Sequence, residues 1–198
     1  MKYTFYEIYR NKIHRDGAKE LLAWLANDTD FFEAPCSTRF HLCQRGGLVE
    51  HSIDVYRRLH SLYTMVKTKA GAPGVYHMTE AEEESIAIVA LLHDVCKANF
   101  YVTDTRNVKN KETGIWEVVP FYTVNDQFPM GHGEKSLYLI MKYMRLSDEE
   151  AMAIRWHMGF SDESFKGGSY ALGNAFDKYP LAVLMHTADL IATNIDEK

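Results

Sequence analysis

The sequence predicts an all-α fold with one β-hairpin inserted near residues 100–125. Apolar residues recur at helical steps along most of the chain, and two Ser/Thr-x-x-Glu boxes mark helix starts. Between them lies a single segment whose aromatic and β-branched residues alternate as strands do.

Taken in order, Asp16 is the expected cap of a helix through Leu21, Leu22, Trp24 and Leu25 that ends before Asn27. The stretch around Pro35 reads as irregular. Gly46-Gly47 opens a long helix in which Leu48, Ser52, Val55, Leu59, Leu62 and Val66 recur at steps of four and three, with His51 on or beside that stripe. Gly71, Pro73 and Gly74 are expected to end it. Thr79 with Glu82 caps the next helix, which carries Ile86 to Lys97. Phe100 to Val108 and Ile115 to Val124 are the strands, joined by the polar turn Lys109-Asn110-Lys111-Glu112-Thr113-Gly114. Helix resumes near Gly133 through Tyr138, Ile140, Met141 and Met144. Ser147 with Glu150 opens a further helix that Gly159 terminates just after His157. Gly167-Gly168 marks a loop, and Pro180 suits the first turn of the last helix. No repeat or linker divides the chain, so one domain over residues 1–198 is expected.

A hydrophobic content of 46% and a charged content of 25% are those of an ordinary globular protein. The net charge of −5 gives no general attraction to nucleic acid, which is therefore not a favoured partner. Cys36, Cys43 and Cys96 form no CxxC pair, which suits a reducing compartment. The segment Met1-Lys2-Tyr3-Thr4-Phe5-Tyr6-Glu7 lacks the apolar core of a signal peptide, and no apolar run approaches the roughly 20 residues that span a bilayer. A soluble, cytoplasmic protein without a membrane partner is expected.

Two segments carry the chemistry. Leu91-Leu92-His93-Asp94 follows Ile86-Ala87-Ile88-Val89-Ala90, and His186-Thr187-Ala188-Asp189 follows Pro180-Leu181-Ala182-Val183-Leu184-Met185. An ionised carboxylate in such surroundings needs a partner. Basic residues do not flank either aspartate closely enough to be the evident one, whereas imidazoles do, and a divalent metal satisfies both groups at once. His132 lies between Gly131 and Gly133 at a helix start, where small neighbours let a ligand or substrate come close to the backbone, and His157 lies at a helix end.

The ordered set resembles the HD superfamily of metal-dependent phosphohydrolases. Gly46-Gly47-Leu48-Val49-Glu50-His51-Ser52 is similar to the glycine-led helix start bearing that family's first histidine. Leu91-Leu92-His93-Asp94-Val95-Cys96-Lys97 matches its signature, and His186-Thr187-Ala188-Asp189 resembles its terminal aspartate motif. The resemblance runs from about Phe40 to Asn194. It implies an HD-type helical bundle and a pair of divalent transition-metal ions (Fe, Mn, Co, Ni or Zn). One ion would take His51, His93, Asp94 and Asp189; the other would take Asp94, His132 and His157, with Asp94 bridging. It implies hydrolysis of a nucleotide or related phosphate mono- or diester by a metal-bound hydroxide, with Asp94 and Lys97 in catalysis. The same ordering also resembles the di-iron oxygenases of that superfamily, such as myo-inositol oxygenase, and a low-turnover nucleotide-binding sensor is a further alternative.

His41, ten residues before His51, and Arg45, Lys135 and Arg155, which lie beside motif residues, are the candidate substrate contacts. His186 lies three before Asp189 and either lines the cavity or is a core histidine. In the hairpin, Trp116, Val118, Tyr122 and Val124 fall on one face, and Arg106, Lys109 and Lys111 gather near the tip. Two readings stand: a lid or partner arm, or a cover for apolar helix surface.

Overall fold

The computed structural model describes residues 1–68 and 74–198. Helix α1 (Lys2–Lys12) has no counterpart in the sequence-based expectation; it buries Phe5 and Tyr9, one turn apart, against the core. Helix α2 (Ala18–Asn27) follows as expected, but its cap is Gly17 rather than Asp16. The chain enters this helix at a φ of 84°, left-handed backbone that glycine adopts freely and aspartate does not. Residues 28–46 are irregular, and α3 (Gly47–Lys67) then runs to a cap at Thr68. The terminators expected at Gly71 and Pro73 lie outside the described residues.

Helix α4 (Glu80–Leu92) begins with both hydrogen bonds of the Thr79–Glu82 capping box. Every residue from Ile86 to Leu92 is buried, as befits a helix that is apolar all round. It is the central rod, packed on α1, on α3 and on α6 (Asp148–Arg155). The α-helix stops at Leu92, short of the expected Lys97, and a 3-10 turn over Val95–Lys97 follows.

Strands β1 (Tyr101–Lys109) and β2 (Trp116–Val124) pair antiparallel, Tyr101 opposite Val124 and Lys109 opposite Trp116. Trp116, Val118, Tyr122 and Val124 do share a face, but it does not cover the helices: Trp116 is 66% and Val118 68% exposed. The hairpin is an arm rooted at Tyr101, whose hydroxyl donates to the Cys36 carbonyl over 3.1 Å. Arg106 lies over Phe121, on the face opposite Lys109.

Beyond the arm, α5 (His132–Met141) packs on α6 and on the 95–97 turn. The Ser147–Glu150 box caps α6 with both bonds present. Short helices α7 (Glu163–Lys166) and α8 (Ala171–Lys178) lead to α9 (Pro180–Ile191), with Pro180 in its first turn. Helix α9 lies against α3, α6 and α8 and ends in a π-helical turn over Ala192–Asp196. Among the described residues no helix is long and apolar enough to cross a membrane.

Candidate metal centre

Three helices and two interhelical turns deliver the site. His51 comes from the second turn of α3, and Asp189 from α9. His93 and Asp94 stand where α4 gives way to the 3-10 turn. Consecutive residues of a continuous α-helix diverge by about 100°, so the break is what lets both point into one space. The turn is pinned from α5, where Ser136 Oγ accepts the Cys96 backbone N–H over 3.0 Å. His132 is the first residue of α5. His157 lies just past α6 rather than in its last turn. Its loop is pressed against α9: His186 Nδ1 donates to the His157 carbonyl over 2.7 Å, and a Cβ at Gly159, where φ is 52°, would run into the His186 ring. His186 is therefore a support for His157.

The imidazoles are oriented from behind. His93 Nδ1 donates to the Ala90 carbonyl over 2.8 Å and His157 Nδ1 to the Ile154 carbonyl over 2.7 Å. His51 Nδ1 donates to Glu197 Oε1 over 2.8 Å. A carbonyl or carboxylate only accepts, so each Nδ1 carries a proton and each Nε2 is turned to the centre. Against burial, Cys36, Asp189 and Glu197 push His51 well above the usual imidazole range, so without a cation it favours the charged form. The Nε2 atoms converge. His51 Nε2 is 3.2 Å from His93 Nε2 and 3.3 Å from Asp189 Oδ1. His157 Nε2 is buried with no hydrogen-bond partner.

Asp94 divides its oxygens between the two sides. Oδ1 is 2.7 Å from His132 Nε2 and 3.5 Å from His157 Nε2. Oδ2 is 3.6 Å from His93 Nε2, 3.7 Å from His51 Nε2 and 2.6 Å from Lys97 Nζ. The expectation that no basic residue flanks this aspartate closely enough to be its evident partner is thus corrected: Lys97, three residues on, folds back over it. Burial alone would raise the Asp94 carboxyl, but the Lys97 ammonium and the surrounding histidines hold it well below the usual carboxylate range. Burial drives His93 down to about 3, the neutral form that a metal ligand needs. Against burial, Cys96 and Asp94 push His132 up to about 10.

This donor set fits a metal. His51, His93 and Asp189 each bring one ligand atom within 4.8 Å of one another, as do His93, Asp94 and His157, and also Asp94, Cys96 and His132. The buried His157 nitrogen without a partner is unfavourable in a bare cluster, and a cation relieves it while taking the place of the proton on His51. Comparison of the chain with protein-family models, curated proteins and solved structures finds no match. The centre is read from its own geometry.

Two cavities meet at it. One, of about 410 Å³, is lined by His41, His51, Asp94, Tyr101, His186 and Asp189 among others. The second, of about 660 Å³, is lined by Phe100, Asp126, Met130, Lys135 and Ser164 among others. They share Lys97, His132, Met158 and Ser161.

The candidate substrate contacts divide. His41 is at the site, its ring 5.3 Å from that of His51. Lys135 borders the larger cavity but is buried and already donates to Asp126 Oδ1 over 2.5 Å. Arg45 is not at the site: its side chain is 79% exposed and pairs with Glu33. Arg155 is also withdrawn, because its guanidinium is shared between Asp162 (2.7 Å) and Glu134 (2.5 Å) and lies over Trp156. Glu197, Cys36 and Cys96 were absent from the sequence-derived set. The position of Cys96 two residues after Asp94 was a usable signal for it, whereas Glu197 reaches His51 only through the terminal turn.

Proposed function

We propose that the chain is an HD-type metal-dependent phosphohydrolase acting on a nucleotide or related phosphate mono- or diester. The observation that carries this reading is Asp94, whose Oδ1 faces His132 and His157 while Oδ2 faces His51 and His93. A pair of divalent cations would be held on these two sides, one by His51, His93 and Asp189 and the other by His132 and His157, with Asp94 serving both. When bound, such a pair supplies Lewis acidity at phosphoryl oxygens and lowers the pKa of a nucleophilic water.

The chain's own residues account for the rest. Ala90, Ile154 and Glu197 lock three imidazoles in the ligating tautomer, so binding needs little reorganisation. Lys97 borders both cavities and carries an ammonium available to a phosphoryl oxygen, while its contact with Asp94 fixes its position. The larger cavity offers Phe100, Pro129 and Met130 as apolar walls for the group attached to phosphorus.

The test is metal analysis of protein purified without chelator, followed by a panel of phosphatase and phosphodiesterase substrates. Phosphate or nucleotide release that depends on restored metal supports the reading. Iron with O₂ consumption and no phosphoester cleavage overturns it in favour of oxygenase chemistry, and tight nucleotide binding without product overturns it in favour of a sensor.

A further inference from the structure

His51 separates two environments. Its Nε2 side faces the centre described above, and its Nδ1 side faces Glu197. On that second side, Cys36 Sγ is 3.2 Å from His41 Nε2. Glu197 turns Oε1 to His51 and leaves Oε2 at 3.7 Å from His41 Nε2. This oxygen is buried without a hydrogen-bond partner, on a side chain only 1% exposed. Cys36, His41 and His51 bring ligand atoms within 4.8 Å of one another, but both nitrogens of His51 are already engaged. The groups left to a ligand are a thiol, an imidazole and a carboxylate.

We infer that Cys36, His41 and Glu197 form a second, separate cation site, suited to a borderline-soft divalent ion such as Zn²⁺. Sulfur, nitrogen and oxygen donors together are a zinc-type set, whereas the neighbouring centre is dominated by imidazole and carboxylate. Thiolate and carboxylate each carry one negative charge, which offsets a dication in a buried place. Burial pushes the Cys36 thiol up, and Lys97 Nζ, 3.5 Å from Sγ, opposes that, so the thiolate is one that a bound cation would have to draw out. Cys36 and His41 both line the 410 Å³ cavity, so an ion reaches the site from there. The inference does not depend on phosphoester hydrolysis, and its test does not read activity.

The full chain, stripped of metal by chelation, is titrated with Co²⁺ while the near-ultraviolet thiolate-to-cobalt charge-transfer band is followed. Wild type is expected to develop the band and Cys36→Ser to lack it, with Co²⁺ uptake at the histidine–aspartate centre kept. Cys96→Ser and Cys43→Ser retain the band. His41→Ala, at a half-buried position, needs about tenfold more Co²⁺ or greater to reach half of it. No band in wild type, a band kept in Cys36→Ser, or one lost in Cys96→Ser but not in Cys36→Ser overturns the inference. If Cys36→Ser fails to fold by circular dichroism, an unshifted titration in His41→Ala overturns it equally.

Discussion

Lys97 donates to Asp94 Oδ2 over 2.6 Å, from a 3-10 turn whose geometry stacks side chains three residues apart. The contact gives the buried carboxylate a cation of its own and ties the ammonium to the rim of both cavities. Removing the lysine strips Asp94 Oδ2 of its cation and leaves His132, on Oδ1, as the remaining charged partner. We expect Lys97→Met to destabilise the chelated protein by about 1–3 kcal/mol and the metal-loaded protein by much less, since bound cations replace the lost charge. Denaturant unfolding with and without chelator measures both. Equal stability of variant and wild type in chelator would show that the pair contributes nothing.

Asp94→Ala should lose metal on both sides of the cluster, because its two oxygens face different imidazole pairs. His132→Ala and His157→Ala should retain about one ion per chain and lose roughly 100-fold or more in phosphoester turnover. Metal content by elemental analysis alongside kcat decides this. Undiminished metal in Asp94→Ala would remove the bridging role, and full turnover in the histidine variants would make them structural.

Acid sensitivity away from the centre should concentrate at Glu150. This buried carboxylate accepts from Arg15 over 2.6 and 3.0 Å, from Ser85 Oγ over 2.6 Å and from the Ser147 backbone N–H over 2.8 Å. Burial opposes its ionisation, but these donors hold it below its ordinary value. A depressed folded-state pKa contributes stability that is fully present above the unfolded value of about 4.3 and is lost as pH falls through the folded value. Glu150→Gln should therefore be less stable at neutral pH, by about 1–3 kcal/mol, and lose less of its stability below about pH 4.3. Denaturant curves across that range provide the check; an acid slope identical to wild type would assign the sensitivity elsewhere.

The hairpin arm should serve substrate and not the core. Its strands are largely exposed to the tip, while Tyr101 and Val124 at its root line the smaller cavity. Replacing Lys109 to Gly114 with a short turn should leave folding and metal content unchanged. It should raise KM roughly fivefold, or change preference within the substrate panel, as for about 1 kcal/mol of lost binding. Unchanged kinetics would reduce the tip to a surface feature.

The sequence by itself determined the elements whose causes lie within a turn or two of chain. Thr79 with Glu82, Ser147 with Glu150 and Pro180 start the helices they were expected to start, and the alternation through residues 100–124 forms the hairpin. It also named His51, His93, Asp94, His132, His157 and Asp189, which the fold gathers into one cluster. Helix α1 escaped notice because its apolar positions are mostly tyrosines set among polar residues, and a short helix draws its stability from packing that no local pattern reports. Only the tertiary structure decided which charge meets which. Arg155 looked free to bind phosphate until Asp162 and Glu134 enclosed it. Glu197 meets His51 across 146 residues of chain. Caps and periodicity are local and legible; the pairing of buried charges depends on which distant segments close around them, and that is settled only when the whole core packs.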